Sequence, residues 1–178
     1  GSGAWLLALT AQGEYARAFG SYTPNHGIII QFEMDTTTTP VGYGSQAVGL
    51  EIDLGNGADD VRVDVRVTNA GVGVYDVNGA ALVGSDAVDC TERRVYRLGL
   101  QHDSGNTVAL YSRKADGQVW TLHVTGTVTR RVGTGGTSAV RWGHLAAGSW
   151  VSTWYAVHAT PGDGDGSHIY TTDALSAG

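Results

Sequence analysis

Alternating apolar and polar residues along much of the chain predict β-strands, because successive side chains of a strand point to opposite faces. The clearest example is the segment 48–67, in which the runs G-L-E-I-D-L and V-R-V-D-V-R-V flank a loop rich in glycine, asparagine and aspartate. Such a loop reverses the chain readily. The segment is therefore predicted to be a β-hairpin with one apolar face and one charged face, and Glu51 and Asp53 belong to the charged face.

The same period recurs through most of the chain. A second hairpin is predicted to turn at Asn78-Gly79, a dipeptide that is the strongest short-range hairpin signal. Further strands are predicted over residues 28–35, 94–101, 107–113, 118–125, 139–144 and 150–159. No stretch has a convincing helical period, so the pattern predicts roughly ten to twelve short strands in an all-β fold, an antiparallel β-sandwich or jelly roll.

Each sheet of a sandwich buries one face and exposes the other. Charged residues such as Arg62, Asp64 and Arg66 are therefore expected on a solvated outer face without any function. In the last strand, alternation separates Trp150 and Trp154 from a face of valine and tyrosine. We expect the valine face to be core and the two tryptophans to lie on an outer or interface surface.

Length and composition indicate one domain of 178 residues with no need of disulfides. It divides into an N-terminal segment, 1–27, that packs on the sandwich, the sandwich itself, 28–159, and a polar C-terminal tail, 160–178. Cys90 is the single cysteine, and it is predicted to be an ordinary core residue.

Charge argues against some classes of partner. Only 16% of the residues are charged and the net charge is −6, whereas nucleic acids and anionic membranes require a basic patch. The sequence also lacks a run of 18 or more apolar residues of the kind that spans a membrane. We therefore predict neither a nucleic-acid nor a membrane partner.

Five stretches carry a resemblance to a known superfamily: I-I-I-Q-F-E-M-D, G-L-E-I-D-L-G, V-R-V-D-V-R-V, V-Y-R-L-G-L-Q-H-D-S-G-N-T-V-A-L-Y and V-R-W-G-H-L-A-A-G-S-W-V-S-T-W-Y-A-V. In this order they resemble the concanavalin A-like lectin/glucanase superfamily, including its laminin-G-like modules. The resemblance implies a concanavalin A-like jelly roll. Similar modules recur in carbohydrate-binding proteins and in minor tail proteins of phages, which implies an extracellular or virion location.

Within that superfamily, family 16 glycoside hydrolases carry a strand motif of the form E-x-D-x-E or E-x-D-x-x-E, and Glu51 and Asp53 match its first half. Retaining hydrolysis needs two carboxyl groups about 5–5.5 Å apart, one of them a proton donor. The third motif position falls on Gly55 or Asn56, neither of which transfers a proton. No catalytic residue is therefore predicted. A ladder in which Glu51 or Asp53 pairs with Arg62 or Arg66 explains the same residues.

Aromatic residues supply the other ligand-binding candidates. Trp142, Trp150 and Trp154 lie close together in the sequence, and three roles remain open for them: protein–protein contact, core packing and stacking against sugar rings. Together with Glu51 and Asp53 they are the residues we would test for ligand binding.

Metal sites are not predicted. Two stretches contain oxygen ligands of the kind that Ca²⁺ binds: Asp163 with Asp165, and Asn56 with Asp59 and Asp60. Neither stretch matches an EF-hand loop, so solvated turns are the favoured interpretation. The six histidines show no zinc spacing and no cofactor is expected.

Taken together, these features predict a non-enzymatic binding or structural module of an extracellular or virion assembly, such as a phage tail. Its partners would be surface glycans or other protein subunits, with homo-oligomers expected. One alternative is a carbohydrate-binding module of a secreted glycan-active enzyme. The other is a degenerate or active family 16-like glucanase.

Overall fold

The fold was examined in a computed structural model, which describes residues 13–18, 26–38, 42–44, 48–55, 59–102, 105–133, 139–144 and 151–161. These residues form twelve strands, all paired antiparallel. The strands are β1 Gly13–Ala18, β2 His26–Thr38, β3 Gly49–Gly55, β4 Asp59–Thr68, β5 Gly71–Asp76, β6 Ala81–Asp86, β7 Arg94–His102, β8 Thr107–Lys114, β9 Thr121–Thr127, β10 Arg130–Val132, β11 Ala139–His144 and β12 Val151–Pro161. The all-β prediction is confirmed.

Two sheets pack face to face. A seven-stranded sheet has the order β1-β11-β3-β4-β5-β6, with β10 pairing onto the end of β4. A five-stranded sheet has the order β12-β2-β7-β8-β9. Strands distant in the chain, such as β3 and β11, are thus direct neighbours. This jelly-roll arrangement is the predicted antiparallel β-sandwich.

The first predicted hairpin is confirmed, since β3 and β4 pair from Gly49 with Arg66 to Gly55 with Asp60. Alternate residues of both strands face the other sheet and are fully buried. The second hairpin also turns where predicted, because residues 77–80 connect β5 and β6. Ala80 there has a φ of 51°, in the left-handed region that tight turns require.

The core lies between the sheets and is built from the inward residues of both. Phe32 stacks on Tyr96 with ring centroids 5.0 Å apart, and Trp154 packs on the same phenylalanine at 5.7 Å. Cys90 lies in this core with a free thiol, as predicted. Burial raises the pKa of the Cys90 thiol, so the group stays protonated and unreactive at neutral pH.

The predicted orientation of the last strand is wrong for Trp154, whereas Val157 packs against the core as expected. Trp154 is only 2% exposed and Ser152 is buried beside it, whereas Tyr155 of the opposite face is half-buried. An irregularity in the pairing between Trp154 and Ala156 shifts the alternation, so Trp154 before it and Val157 after it both pack on the core. The indole Nε1 donates to Ser152 Oγ at 3.0 Å, which satisfies its polar atom inside the core. Trp150 lies outside the described residues.

Two further differences concern strand ends. β9 begins at Thr121 rather than at residue 118, because the chain after the turn at Asp116-Gly117 runs without regular structure to Trp120. The separate strand β10 then follows after a short break. Within the predicted N-terminal segment, Gly13–Ala18 forms β1, which pairs with β11 at the edge of the seven-stranded sheet.

Candidate functional site

The outer face of the seven-stranded sheet carries a cluster of three carboxylates and three guanidinium groups. Strand pairing aligns them in rows: Glu51 lies opposite Arg141 on one side and Asp64 on the other, and Asp53 lies opposite Arg62. Side chains directly opposite on one face lie closest together, so unlike charges meet at Glu51 with Arg141 and at Asp53 with Arg62, whereas Glu51 and Asp64 are like charges. The cluster, here called the charge ladder, consists of Glu51, Asp53, Arg62, Asp64, Arg66 and Arg141.

The ladder predicted between the two arms of the hairpin is confirmed for Arg62. Its Nη2 donates to Glu51 Oε1 at 3.1 Å, and its Nε lies 3.4 Å from Asp53 Oδ2. A second guanidinium, from Arg141 of β11, also contacts Glu51 Oε1. Arg66 pairs instead with Asp64, two residues away on its own strand, at 3.0 Å.

The prediction of a solvated outer face is wrong for much of this ladder. Glu51 is 6% exposed, Asp64 is 0% exposed and Arg66 is 4% exposed. Aromatic residues contribute to the covering: the Arg66 guanidinium lies 3.5 Å from the centroid of the Tyr75 ring, and its Nη1 donates to the main-chain oxygen of Tyr43 at 2.5 Å. Burial of charges is costly, so these charges must be closely paired.

A glycine lets the Tyr43 ring approach the outer face of the sheet. Gly73 lies on the outer face of β5, opposite Arg66 on β4. A Cβ at Gly73 would lie 2.8 Å from Cδ1 of Tyr43, so only glycine admits the ring at this distance.

Burial and several neighbouring charges act together on the Asp53 carboxyl. Burial raises the pKa of the Asp53 carboxyl, Arg62 opposes this effect, and the negative charges of Asp60 and Glu51 add to it. Its Oδ1 is buried and has no hydrogen-bond partner among the described residues. A carboxyl of this kind resembles a general acid in its pKa shift alone.

The described positions of the family 16-like motif carry two carboxylates, and guanidinium groups contact both. The carboxylate of Glu51, the first residue of the family 16-like motif, contacts two guanidinium groups, those of Arg62 and Arg141. Position 55 is a glycine, and Asn56 lies outside the described residues. The charge ladder thus holds its carboxylates in ion pairs rather than presenting one acid and one nucleophile.

The aspartates considered as Ca²⁺ ligands are also paired. Asp59 contacts the Arg130 guanidinium, and Asp60 Oδ2 accepts from Arg131 Nη2 at 2.6 Å. These contacts hold β10 against β4, so the carboxylates close the sandwich at this end. Asn56, Asp163 and Asp165 lie outside the described residues. Within the part of the chain that the structure describes, no group of three or more acidic, histidine or cysteine side chains could hold a metal ion.

Of the predicted aromatic ligands, Trp142 and Trp154 both face inward. Trp142 lies on the same side of β11 as buried Val140 and packs, half-buried, against the core. Neither indole lies on the face that carries Glu51 and Asp53. The four predicted site residues that the structure describes, Glu51, Asp53, Trp142 and Trp154, therefore do not form one site.

A different tryptophan lies over the outer face of the five-stranded sheet. Trp120 follows the turn at Asp116-Gly117, is half-buried, and has the guanidinium carbons of Arg97 and Arg113 at 4.4 Å and 5.3 Å from its ring centroid. Arg97 in turn donates from Nε to Gln31 Oε1 at 2.5 Å. We call Trp120 with Arg97, Arg113 and Gln31 the tryptophan platform.

The loop that carries Trp120 is anchored by Arg113. Its Nη1 donates to the main-chain oxygens of Lys114, Ala115 and Gly117, at 3.2, 3.1 and 2.7 Å. These bonds bridge the turn, and they place the guanidinium beside the indole. The sequence signal for this site was an aromatic residue just after a D-G turn, with arginines on the outward positions of β7 and β8.

A Ser-His-Asp contact also occurs, although the sequence has no G-x-S-x-G motif. His123 Nδ1 lies 2.8 Å from Asp86 Oδ2 and His123 Nε2 lies 2.7 Å from Ser112 Oγ. Ser112 is 0% exposed and also accepts from Arg94 Nη1 at 3.1 Å. A hydroxyl with no accessible surface cannot attack a substrate, so this chain of hydrogen bonds joins the edges of the two sheets instead.

Comparisons with known proteins give structural likenesses only. No protein-family model matches the sequence, and no curated protein matches it. Among solved structures, lectin I-B4 of Griffonia simplicifolia is 11% identical with a TM-score of 0.47, covering 76% of this chain and 72% of that chain.

Two glycan-active enzymes are also similar. The alginate lyase from Corynebacterium sp. is 16% identical with a TM-score of 0.41 over 83% of this chain and 62% of that chain. A GH43 glycoside hydrolase is 8% identical with a TM-score of 0.42, and this chain, 75% covered, spans 29% of it. Identities this low do not assign a function, so the function has to be inferred from the side chains of this chain. No helix that could span a membrane occurs in the described ranges.

Proposed function

We propose that this chain is a non-enzymatic glycan-binding module that uses the tryptophan platform. The carrying observation is that Trp120 stands partly exposed on the outer face of a rigid sheet, with Arg97 and Arg113 against its ring. Sugar rings place their C–H faces on flat aromatic side chains, and neighbouring polar groups bind their hydroxyls. A ring already immobilised in the free protein loses little entropy when a ligand binds.

Neighbouring side chains support this assignment. Val119 and Leu122, on either side of Trp120, are both exposed, and Val119 is 80% exposed. Gln31 on β2 places an amide group beside Arg97 on the same face. The platform thus combines an apolar surface with hydrogen-bonding groups.

The charge ladder supports a role without catalysis. Its best acid/base candidates, Glu51 and Asp53, are both paired with Arg62, and Glu51 with Arg141 as well. Removing either carboxylate from these pairs would leave arginine charges uncompensated, which makes a structural role the simpler account. The setting that fits a glycan-binding module of this kind is an extracellular or virion assembly, for example a phage tail.

Subunit packing is the second candidate, and a separate observation favours it. Leu82, Leu122 and Val132 are exposed, and they lie on strands β6, β9 and β10. β6 and β9 end their sheets, and an edge strand with apolar residues can pair with another chain. A homo-oligomer would cover these strands.

A glycan array with the wild-type protein and Trp120→Ala tests the main proposal. We expect wild-type binding to at least one saccharide class and a loss of more than about tenfold in affinity, about 1.4 kcal/mol, for the variant. Val132→Ala is the matched control, since it removes an exposed valine from β10 of the other sheet, and its affinity should stay within about twofold.

Three outcomes would contradict the proposal. If Trp120→Ala binds as the wild type does, the site lies elsewhere. An oligomer by light scattering together with an empty array favours subunit packing. Release of reducing ends from β-glucans, abolished by Glu51→Gln, would show an enzyme and remove the non-enzymatic assignment.

A further inference from the structure

We propose that the tryptophan platform is one end of an extended site, and that this site binds a saccharide chain rather than a single sugar. The inference rests on the proposed function and adds the class of ligand. It follows from a second aromatic ring, that of Tyr155 on β12, which lies in the same row of residues on the outer face of the five-stranded sheet.

Strand pairing sets this row. Arg113 on β8 lies opposite Val95 on β7, and Val95 lies opposite Glu33 on β2. Glu33 in turn lies opposite the irregularity of β12 that contains Tyr155. Because neighbouring strands are about 4.8 Å apart and β12 is two strands from β7, Tyr155 and Trp120 stand at two ends of the row that are separated by roughly 10 Å.

The two ends of the row are built from the same pair of side-chain types. At one end the guanidinium carbon of Arg113 lies 5.3 Å from the centroid of the Trp120 ring. At the other end the guanidinium carbon of Arg93 lies 3.7 Å from the centroid of the Tyr155 ring. Both rings are half-buried. Each end therefore combines a partly exposed aromatic ring, which can pack against the C–H groups of a sugar, with N–H donors for sugar hydroxyls.

Hydrogen bonds hold the Tyr155 end of the row in place. The Tyr155 hydroxyl donates to Asp35 Oδ2 at 2.6 Å, and Arg93 Nε donates to Glu33 Oε1 at 2.6 Å. The Arg93 side chain is nevertheless 49% exposed, so a ligand can reach it. Side chains that are already ordered in the free protein lose little entropy on binding, which favours this end as a second contact for the ligand.

A saccharide chain that crosses the row reaches both ends. Between them lies Gln31 of β2, which is half-buried and whose Oε1 accepts from Arg97 Nε at 2.5 Å. A single sugar contacts one ring only, whereas a chain long enough to span roughly 10 Å contacts both. The second contact then forms within a complex that already exists, so the affinity rises with chain length.

Isothermal titration with saccharides of increasing length tests the inference. The probes are glucose with cellohexaose, mannose with mannohexaose, and N-acetylglucosamine with chitohexaose. In the series that binds, we expect the hexaose to bind at least about a hundredfold tighter than the monosaccharide, the low end of the gain from linking two contacts in one ligand.

Variants at the far end of the row separate the two contacts. Tyr155→Ala should reduce the gain from monosaccharide to hexaose to within about tenfold and leave the monosaccharide affinity within about twofold. Arg93→Ala, a change at an exposed side chain that the fold tolerates, should reduce the same gain by at least about threefold. Tyr75→Ala is the matched control: this half-buried tyrosine also contacts a guanidinium, that of Arg66 at 3.5 Å, but lies on the seven-stranded sheet, so the gain should be unchanged.

The outcomes distinguish the two proposals. Equal affinity for monosaccharide and hexaose, lost in Trp120→Ala, overturns the extended site and leaves glycan binding intact. A gain with length that survives in both Tyr155→Ala and Arg93→Ala also overturns the inference, since the chain then leaves the platform in another direction. If no saccharide of any series binds, glycan binding itself fails and the extended site fails with it. A gain with length in one series alone supports the inference and identifies the sugar.

Discussion

The outer faces of the two sheets use arginine in opposite ways. On the seven-stranded sheet, Arg62, Arg66 and Arg141 each contact a carboxylate, and the charge ladder has three charges of each sign. On the five-stranded sheet, Arg97 and Arg113 contact an indole ring and neutral oxygens. The first arrangement pairs its charges with carboxylates, whereas the second packs guanidinium groups around a half-buried aromatic ring.

The difference separates stability from binding. Buried ion pairs matter for the stability of the fold mainly because removing one partner leaves the other charge buried and unpaired. On the tryptophan platform Arg97 is buried, but Trp120 and Arg113 are half-buried, so solvent weakens their contact and it contributes less to folding. Substitutions on the two faces should therefore have different signatures, with unfolding free energy changing on one face and ligand affinity on the other.

The largest expected effect is on the charge ladder. Arg66→Ala leaves Asp64, which is 0% exposed, without its ion-pair partner, and it also removes the bond to the Tyr43 oxygen. We expect a loss of about 3–5 kcal/mol in the free energy of unfolding, the range found when one member of a buried pair is removed. Urea denaturation followed by tyrosine and tryptophan fluorescence measures it.

The double variant Arg66→Met with Asp64→Leu is the control for that prediction. Replacing both charges by apolar side chains of similar size removes the desolvation penalty together with the pair. We expect the double variant to be more stable than Arg66→Ala and close to the wild type. If the single substitution costs less than about 1 kcal/mol, the pair behaves as a surface ion pair and the comparison of the two faces fails.

The fold was predictable because alternation is a local property. In β3 and β4 every second residue is apolar, and burying one face of both strands leaves only one register in which the hairpin forms. The turn at Asn78-Gly79 was predictable for the same reason, since it depends on two residues and their backbone preferences. These features can be recognised in the sequence without knowing which strands pair.

The site was less predictable because it depends on contacts between distant strands. Arg141 reaches Glu51 only because β11 pairs with β3, and Trp120 meets Arg97 only because the loop before β9 folds back over β7. Burial of Asp64 and Arg66 needed the cover provided by Tyr43, which is far away in the sequence. For Trp154, strict alternation failed because the pairing of β12 is irregular after this residue, which places both Trp154 and Val157 on the core side.

A smaller effect is expected on the tryptophan platform. Trp120→Ala removes two cation–π contacts at a half-exposed position, each worth about 0.5–1 kcal/mol at exposed sites. The free energy of unfolding should therefore fall by no more than about 2 kcal/mol, while the glycan affinity is lost. Urea denaturation and titration on the same preparation compare the two quantities. A loss of stability as large as that of Arg66→Ala would mean that the indole is a structural element rather than a binding surface.

The smallest expected effect lies where the two sheets meet, at Asp86 and His123. The hydrogen bond from His123 is the main reason why the pKa of Asp86 is lowered from its ordinary value of 3.8, and a bond from the Ala87 amide adds to it. A carboxyl with a depressed pKa in the folded state stabilises the fold above pH 3.8, and this contribution is lost as the pH falls through the folded-state pKa. Asp86→Asn should therefore lower Tm slightly at pH 6 and have almost no effect at the acid end of the titration, about pH 2.

Thermal unfolding of the wild type and Asp86→Asn over that pH range measures the difference. Asp89→Asn is a suitable control. The pKa of Asp89 is also lowered, but mainly by a hydrogen bond from Thr91 rather than by a residue of the facing sheet. Both variants should lose their Tm difference in acid, since both carboxyls have depressed pKa values. Only Asp86→Asn should also loosen the contact between β6 and β9, where Gly126 allows Val83 to approach so closely that a Cβ would lie 2.5 Å from its Cγ1. Faster amide hydrogen exchange in β9 for Asp86→Asn, with unchanged exchange in Asp89→Asn, is the expected result. Equal exchange in both variants would mean that the His123 hydrogen bond does not hold β6 against β9. The apolar core alone would then keep the two sheets packed together.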